Sequence, residues 1–420
     1  MCSGEIGTRA ASLGRMISLG HDAPEAAKDF AAQLMMDFAE RTGVVGDAEP
    51  RRYLWTDAFA VCNLLGLGDA YDGGPYSELA RRLVGSVHEV LGQHRSDSGQ
   101  RGWLSGLSDE DGRAHPTAGG LRIGKPLPER GEGEAFDPEL EWNRDGQYFH
   151  YLTRWIHALD LMTRWTGEPQ FNAWARELAD VSQRAFTYST GGRQQMVWKM
   201  SIDLHRPLVP SMGHHDPLDG YVTCNWLQQT ARKLAQPVPG PEMGNAISSF
   251  AAIMEGVSWT TSDPLGIGGL LVDAYRIARL RQEGATLGEV QLAHVLSSAA
   301  TGLDTYVRGG ELRWPASTRL AFRELGLAIG MQALERLQAS EVRAPGTQAL
   351  LNALRPFADL GQEIVRFWLE PSHRQTQSWL SHADINDVML ATCLAPSGYL
   401  ADRAVPQAPL SASPDSSLQH

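Results

Sequence analysis

The stretch that decides the fold runs from Asp203 to Leu227 and reads DLHRPLVPSMGHHDPLDGYVTCNWL. It begins as a polar loop and opens a helix at Asp216, because the proline that follows suits the first helical turn, where its missing N–H costs nothing. The same opening occurs earlier: DAFAVCNLL (Asp57 to Leu65) matches DGYVTCNWL (Asp219 to Leu227) at its Asp, aromatic, Cys, Asn and Leu positions. A weaker copy, DVMLATC, begins at Asp387. The chain therefore contains an internal repeat that is built on helices.

Helical periodicity extends over most of the chain and predicts twelve helices. They span residues 23–42, 52–68, 76–93, 146–166, 168–187, 216–234, 244–256, 264–283, 287–307, 316–338, 346–369 and 381–396. The even-numbered helices are apolar or aromatic on more than one face and rich in small residues, whereas the odd-numbered ones carry the single apolar stripe of surface helices. Six inner helices that alternate with six outer ones predict an all-α protein, in which hairpins stack into a closed ring around one continuous core.

The six inner helices begin TDAFAVCNLLGL, GQYFHYLTRWIHALDLM, DPLDGYVTCNWLQQ, DPLGIGGLLVDAY, STRLAFRELGLAIG and NDVMLATCL. Together with the aromatic-rich segment DGQYFHYLTRWIHALDLMTRWTGEP, this pattern resembles the (α/α)6 toroid of the six-hairpin glycosidase-like superfamily over residues 23–396. That superfamily includes glycoside hydrolases, unsaturated-glycuronide hydrolases, sugar 2-epimerases and polysaccharide lyases. The resemblance implies sugar chemistry in a cleft over the N-terminal ends of the inner helices, although a shared fold does not establish a shared activity.

The predicted organisation is one catalytic-type domain with loose ends. Residues 1–22 form a leader without helical pattern, residues 23–400 form the toroid, and the Pro- and Ser-rich residues 401–420 are expected to be disordered. The connection 95–145 is far longer than ordinary helix–helix loops, and we expect it to act as a lid or cleft wall.

Composition narrows the function classes. A hydrophobic content of 42% with 20% charged residues is typical of a globular protein with a substantial core. The net charge of −12 disfavours binding to a phosphate backbone, and no apolar run is long enough to span a bilayer. Cys62, Cys224 and Cys393 occupy equivalent helical positions and are interpreted as small buried residues. We expect a cytoplasmic protein whose partner is a small-molecule or oligosaccharide substrate, not nucleic acid or a membrane, and the oligomeric state stays open.

Three acids are the candidate catalytic residues, because they sit where inner helices open and would converge on one mouth: Asp57, Asp145 and Asp219. Two carboxylates across a glycosidic bond can act as acid and as base or nucleophile. An acid in a first helical turn is also favoured by the helix dipole alone. Asp216 and Asp263 each precede a proline and are interpreted as helix caps.

The predicted mouth also gathers indoles, histidines and arginines, a mixture that suits the apolar faces and hydroxyls of sugars. The candidate substrate-binding residues are Trp55, Tyr148, His150, His205, Arg206, His214, His215, Trp259, Trp314, Arg319 and Asp387. The histidine spacing matches neither a zincin nor a cysteine-based zinc site, and no phosphate-binding or dinucleotide-binding glycine loop is present. We therefore expect neither a metal nor a cofactor.

Three classes of function remain. A glycoside hydrolase would use two of the three acids, and it is our first prediction because acids recur at the inner-helix openings. A sugar 2-epimerase or isomerase would use a histidine pair drawn from His150, His205, His214, His215 and His382, since imidazole titrates near neutrality. A non-catalytic saccharide-binding or scaffold protein is the third class. Carboxylates facing one another across the mouth favour hydrolysis, whereas histidines on opposite walls favour epimerisation.

Overall fold

The fold is described from a computed structural model, which describes residues 23–68, 74–236, 238–287, 289–340 and 346–406. The predicted leader and the part of the predicted tail after residue 406 lie outside the described residues. The elements in chain order are α1 (Ala23–Arg41), α2 (Leu54–Leu67), α3 (Pro75–Leu91), α4 (Asp109–Ala114), α5 (Pro138–Asn143), β1 (Gln147–Tyr148), α6 (Phe149–Thr166), α7 (Pro169–Phe186), β2 (Thr187–Thr190), β3 (Arg193–Met196), β4 (Lys199–Met200), β5 (Pro207–Val209), α8 (Asp216–Lys233), α9 (Gly244–Met254), α10 (Pro264–Gln282), α11 (Glu289–Gly309), α12 (Ala321–Ala339), α13 (Thr347–Leu354), α14 (Leu360–Leu369), α15 (Gln377–Leu380) and α16 (Ala383–Leu394).

Six helices form a closed inner ring. They are α2, α6, α8, α10, α12 and α16; each contacts the next in this order, and α16 contacts α2 to close the ring. Helices α1, α3, α7, α9, α11 and α14 pack on the outside, each against an inner helix. In α2 every residue except Gly66 is buried, whereas α3 buries a single stripe. The predicted all-α (α/α)6 toroid, with the even-numbered predicted helices inside, is confirmed.

Glycines let two inner helices approach closely. A Cβ atom added at Gly268 of α10 would lie 2.2 Å from the carbonyl oxygen of Gly326 in α12, and one added at Gly330 would lie 2.5 Å from the Cα of Gly268. The small residues that mark the inner helices in the sequence are therefore required by backbone contact between neighbouring helices.

The described residues also form two small antiparallel sheets, from β1, which precedes α6, and from β2 to β5, which lie between α7 and α8 in the chain. Strands β2 and β3 form a hairpin, while β4 pairs with both β1 and β5. The sequence prediction has no strands here, because strands of two to four residues carry too little alternation to be recognised. The second sheet places Trp198 near the ring mouth, where its N–H donates to the carbonyl of Ser211 (3.1 Å) and its carbonyl accepts from the N–H of Phe149 (3.0 Å).

The segment after α16 packs into the ring. Gly398 lies so close to α2 that an added Cβ would be 2.0 Å from the carbonyl oxygen of Cys62. Disorder was predicted from residue 401, but residues 401–406 lie against the helices: Arg164 donates to the carbonyl of Arg403 (3.0 Å), and Val405 is buried. These contacts supply burial that the Pro-rich composition does not reveal.

Cys62, Cys224 and Cys393 are buried and free, in agreement with their interpretation as small apolar core residues. Among the described residues, no helix combines the length and the apolar character that crossing a membrane requires.

Candidate active site

A cavity of about 1070 Å³ opens at the N-terminal ends of the inner helices. All six helices, or the residues that cap them, contribute lining side chains. These include Trp55, Asp57 and Phe59 of α2, His150, Tyr151 and Arg154 of α6, Asp216 of α8, Asp263 and Leu265 of α10, Phe322 and Arg323 of α12, and His382, Asp384, Ile385 and Met389 of α16. Lys125, Pro126 and Trp142 of the long loop 95–145 form part of the wall.

Asp57 lines the cavity but is tightly bound. Its side chain accepts from the backbone N–H of Tyr53, the N-cap of α2 (2.9 Å), and pairs with the buried guanidinium of Arg52 (3.4 Å). Burial raises the pKa of Asp57 to about 6, and the positive charge of Arg52 opposes this shift. The carboxylate therefore holds the start of α2 together, which limits its freedom to act on a substrate.

Asp219 lies beneath the cavity among buried charges. It accepts from the hydroxyl of Thr153, and it pairs with Arg154 (2.8 Å) and with Arg276 (3.6 Å). Burial alone would raise its pKa, but the two guanidinium groups hold the pKa below its ordinary value. Asp219 is thus ionised at neutral pH, and its neighbour Asp273 is the acid of this network whose pKa is raised, to about 7, by burial and by the charge of Asp219.

Asp145 was expected to face the mouth, but it does not line the cavity. It is fully buried at the base of the long loop, where it pairs with Arg122 (2.6 Å) and Arg95 (3.2 Å) and accepts from the N–H groups of Gly124 (3.0 Å) and Lys125 (3.4 Å). It does not cap α6 either, because Tyr148 is the N-cap of that helix. Its geometry is that of a residue that organises the loop.

Asp216 is the cavity acid that the sequence reasoning set aside as a cap. The N-cap of α8 is His215, and Asp216 is the first helical residue. Its Oδ2 atom is buried without a hydrogen-bond partner in the described part of the chain. Burial, followed by the negative charge of Asp219, raises the pKa of Asp216 to about 7. A carboxyl group that is half protonated at neutral pH can donate a proton to a substrate.

Asp263, the other acid interpreted as a cap, is the N-cap residue of α10, yet its side chain makes no capping hydrogen bond. It pairs instead with Arg323 of α12 (2.8 Å), and both side chains are more than a third exposed. A sequence signal for both acids exists in retrospect: each is the Asp of an Asp-Pro that opens an inner helix, at the level where the cavity lies.

The histidines are distributed around the cavity. His150 of α6 and His214 and His215 before α8 line it, as does His382, the N-cap of α16. Burial lowers the pKa of His215 to about 4 and that of His150 to about 3. Within the described residues, no group of three or more His, Cys, Asp or Glu side chains could hold a metal ion.

Aromatic side chains form much of the wall. Trp55 packs against Phe59 (ring centroids 4.7 Å apart) and edge-on against Phe322 of α12 (6.5 Å). The hydroxyl groups of Tyr53 and Tyr151 are hydrogen-bonded at 2.5 Å. Such surfaces offer flat apolar faces beside hydroxyl groups, which is the combination that sugars need.

Several predicted binding residues stand outside the cavity wall. Tyr148 is buried behind it, stacked near His150 (5.8 Å). His205 is exposed and pairs with Asp203, and the Arg206 guanidinium donates to the carbonyl of Arg130 (2.5 Å).

Of the other four, Trp259 lies between α9 and α10, Trp314 and Arg319 lie between α11 and α12, and Asp387 lies on α16. Trp259 is buried beside a separate small cavity of about 180 Å³. Trp314 is 49% exposed. Arg319 is tied to the buried Glu324 (2.6 Å), and Asp387 pairs with Arg41 (2.9 Å). Ion pairs thus hold Arg319 and Asp387 away from the predicted mouth, whereas the two tryptophans lie outside it through their positions in the fold.

No protein-family model matches the sequence, and no curated protein matches it. Among solved structures, the chain is similar to cellobiose 2-epimerase from Spirochaeta thermophila DSM 6192, with 12% sequence identity and a TM-score of 0.43, over 78% of this chain and 84% of that one. Similarity at this level carries no argument about activity, so the function is argued from the site.

Proposed function

We propose that this protein is a carbohydrate-active enzyme that hydrolyses a glycosidic bond, with Asp216 as the general acid. The observation that carries the proposal is the environment of Asp216, a cavity-lining carboxyl whose pKa is raised to about 7 by burial and by the charge of Asp219. Protonation of the leaving oxygen at neutral pH requires an acid of this strength.

The second carboxylate in this mechanism is Asp263. It lines the same cavity from the neighbouring inner helix, where its carboxylate pairs with the guanidinium of Arg323 (2.8 Å). As the Asp216 proton passes to the glycosidic oxygen and the leaving sugar departs, Asp263 either takes a proton from the attacking water or attacks the anomeric carbon itself. This replaces the predicted pair drawn from Asp57, Asp145 and Asp219.

The replacement of Asp216 by Asn separates leaving-group protonation from the rest of the reaction. We expect Asp216→Asn to lower kcat/KM on an oligosaccharide by about 10²- to 10⁴-fold, the usual contribution of a general acid. The same variant should retain most of its activity on a 2,4-dinitrophenyl glycoside of the same sugar, whose leaving group needs no proton. Asp263→Asn should lose both activities.

The comparison uses steady-state rates on both substrates and the far-ultraviolet circular dichroism of each variant. Full oligosaccharide activity in Asp216→Asn would remove the acid role, and the absence of glycoside hydrolysis by the wild type over a broad panel would remove the proposal.

The pH dependence gives an independent check. A general acid must be protonated, so kcat/KM on the oligosaccharide should fall as the pH rises through about 7, the pKa of Asp216. This fall in kcat/KM on the alkaline side of the pH profile, the alkaline limb, should be absent when Asp216→Asn acts on the 2,4-dinitrophenyl glycoside. A limb that persists unchanged in the variant would assign it to another group.

A sugar epimerase is the second candidate, because two cavity histidines stand on opposed helices. His215 caps α8 and His382 caps α16, and these helices are three places apart in the ring of six. One imidazole would remove a proton beside the carbonyl of an open-chain sugar and the other would return a proton to the opposite face. The low pKa of His215 makes it a weak base at neutral pH, which is why hydrolysis is placed first. Deuterium incorporation at that carbon in D₂O, without bond hydrolysis, would select the epimerase.

A further inference from the structure

We infer that Lys125, between the rings of Tyr53 and Trp142, forms a subsite for an anionic substituent, a carboxylate or a phosphate, on the saccharide that occupies the cavity. The inference rests on the proposed function in placing a saccharide there, and it deepens that function by assigning the chemical class of the substrate.

The first observation is a charge without a counter-ion. The other cationic residues of the cavity wall each lie within 4 Å of an acid: Arg41 pairs with Asp384 and Asp387, Arg51 with Asp384, Arg154 with Asp219, and Arg323 with Asp263. Lys125 has no ion pair with any residue that the structure describes. Its ammonium group instead lies 5.2 Å from the ring centroid of Tyr53 and 5.1 Å from that of Trp142.

The aromatic neighbours position the cation without neutralising it. A ring face attracts an ammonium group through its quadrupole but leaves the net charge in place. Trp142 is 48% exposed on the cavity wall, so it also offers a free face beside the charge. A sugar ring that packs on this indole could place an acidic substituent on the ammonium group.

The second observation is that the backbone of Lys125 is rigidly held. Its N–H donates to Asp145 (3.4 Å) and its carbonyl accepts from Arg95 (2.8 Å), which itself pairs with Asp145. Gly124 adopts φ +89°, and a Cβ there would lie 2.2 Å from the carbonyl oxygen of Arg52. Asp145, which the sequence analysis placed among the catalytic candidates, thus acts as a positioning residue for Lys125.

The electrostatic surroundings agree with an anion partner. Burial, together with the nearby positive charge of Lys199, lowers the pKa of Lys125 to about 8, against the opposing negative charge of Asp145, which forms no ion pair with this lysine. A bound anion would stabilise the protonated form, so binding and protonation reinforce one another. Affinity for the anion should therefore decline as the pH rises through about 8.

The test measures binding and does not depend on turnover. Isothermal titration calorimetry on the full chain would compare matched pairs of ligands: glucuronate with glucose, galacturonate with galactose, mannuronate with mannose, and glucose 6-phosphate with glucose. Inorganic phosphate alone distinguishes a free anion from a sugar substituent. The variants are Lys125→Met, which keeps the length of the side chain, and Lys28→Met, which removes the same charge from an exposed site on α1.

At least one acidic sugar should bind the wild type more tightly than its neutral partner. Lys125→Met should weaken that binding by about tenfold or more, as expected for the loss of a hydrogen bond to a charged group. It should leave binding of the neutral sugar nearly unchanged, and Lys28→Met should behave as the wild type.

Four results would overturn the inference: no preference for the acidic member of any pair, an equal loss for both members in Lys125→Met, phosphate binding as tightly as the sugar phosphate, or turnover of neutral oligosaccharides alone. Turnover of neutral oligosaccharides alone would contradict the inference about Lys125 but would agree with the hydrolase proposal. Binding of acidic sugars without hydrolysis of any glycoside would support the inference and contradict the hydrolase proposal.

Discussion

At the scale of single residues, arginines decide what the first-turn acids can do. Asp57 and Glu324 are each the fourth residue of an inner helix, and each pairs with an arginine five positions earlier, Arg52 or Arg319. Asp219 is the fourth residue of α8 but takes its arginines from α6 and α10. The fourth position of these three helices is therefore used for ion pairs, while Asp216, the first residue of α8, lines the cavity.

The network below the cavity can be tested through Asp219→Asn. Removal of this charge leaves Arg154 without its carboxylate and Arg276 with Asp273 alone, and the loss of one partner from a buried ion pair typically costs about 3–5 kcal/mol. The alkaline limb of the pH–rate profile should also move to lower pH, because the charge of Asp219 helps to raise the pKa of Asp216.

Urea unfolding and kcat/KM against pH measure the two effects on the same protein. Asp180→Asn is the control, since the Asp180–Arg184 pair is a surface pair one helical turn apart and should contribute less than about 1 kcal/mol. Stability and pH profile both unchanged in Asp219→Asn would show that the network does not tune Asp216.

At the scale of helices, glycine contacts set the spacing of the ring. In Gly268→Ala the new methyl group would meet backbone atoms of Gly326 and Leu327, which cannot move aside as a flexible side chain could. We expect a loss of about 1–3 kcal/mol, the usual cost of overpacking a core.

Gly85→Ala is the matched substitution outside the ring. Gly85 lies on the exposed face of α3, and an added Cβ has no other atom within 4 Å. This change should stabilise the protein by about 0.5–1 kcal/mol, because alanine has the higher helix propensity. Denaturant midpoints for the two variants should move in opposite directions; a shift of both to higher denaturant would contradict the close helix contact.

At the scale of the whole molecule, closure of the ring depends on contacts between its first and last helices. The Asn63 side chain of α2 donates to the carbonyl of Val388 in α16 (3.0 Å) and accepts from the hydroxyl of Thr392 (2.9 Å). The residue at the same position of the repeat, Asn225 in α8, donates to Tyr221 of its own helix (2.8 Å). Equivalent asparagines therefore have different roles, one between helices and one within a helix.

This difference predicts unequal effects of the same substitution. Asn63→Ala should lower the free energy of unfolding by about 2–3 kcal/mol, since it removes two buried hydrogen bonds that join α2 to α16. Asn225→Ala should cost less than about 1 kcal/mol, because the carbonyl it releases already belongs to the helix. Chemical denaturation of both variants measures this, and equal losses would show that Asn63 has no special part in closing the ring.

The sequence by itself determined the ring. Helical period, the alternation of all-round apolar with one-sided helices, and the repeated Asp57 and Asp219 openings are local properties, and they predicted the inner helices and the closed toroid. The end at which the cavity lies was implied by the family that this pattern resembles. The choice among the acids was decided by tertiary structure alone. Arg154 and Arg276 pair with Asp219, Arg95 and Arg122 pair with Asp145 within the long loop, and no described residue forms an ion pair with Asp216. The pKa of a side chain depends on its desolvation and on charges that other helices bring near it. Neither can be predicted from the residues beside it in the chain.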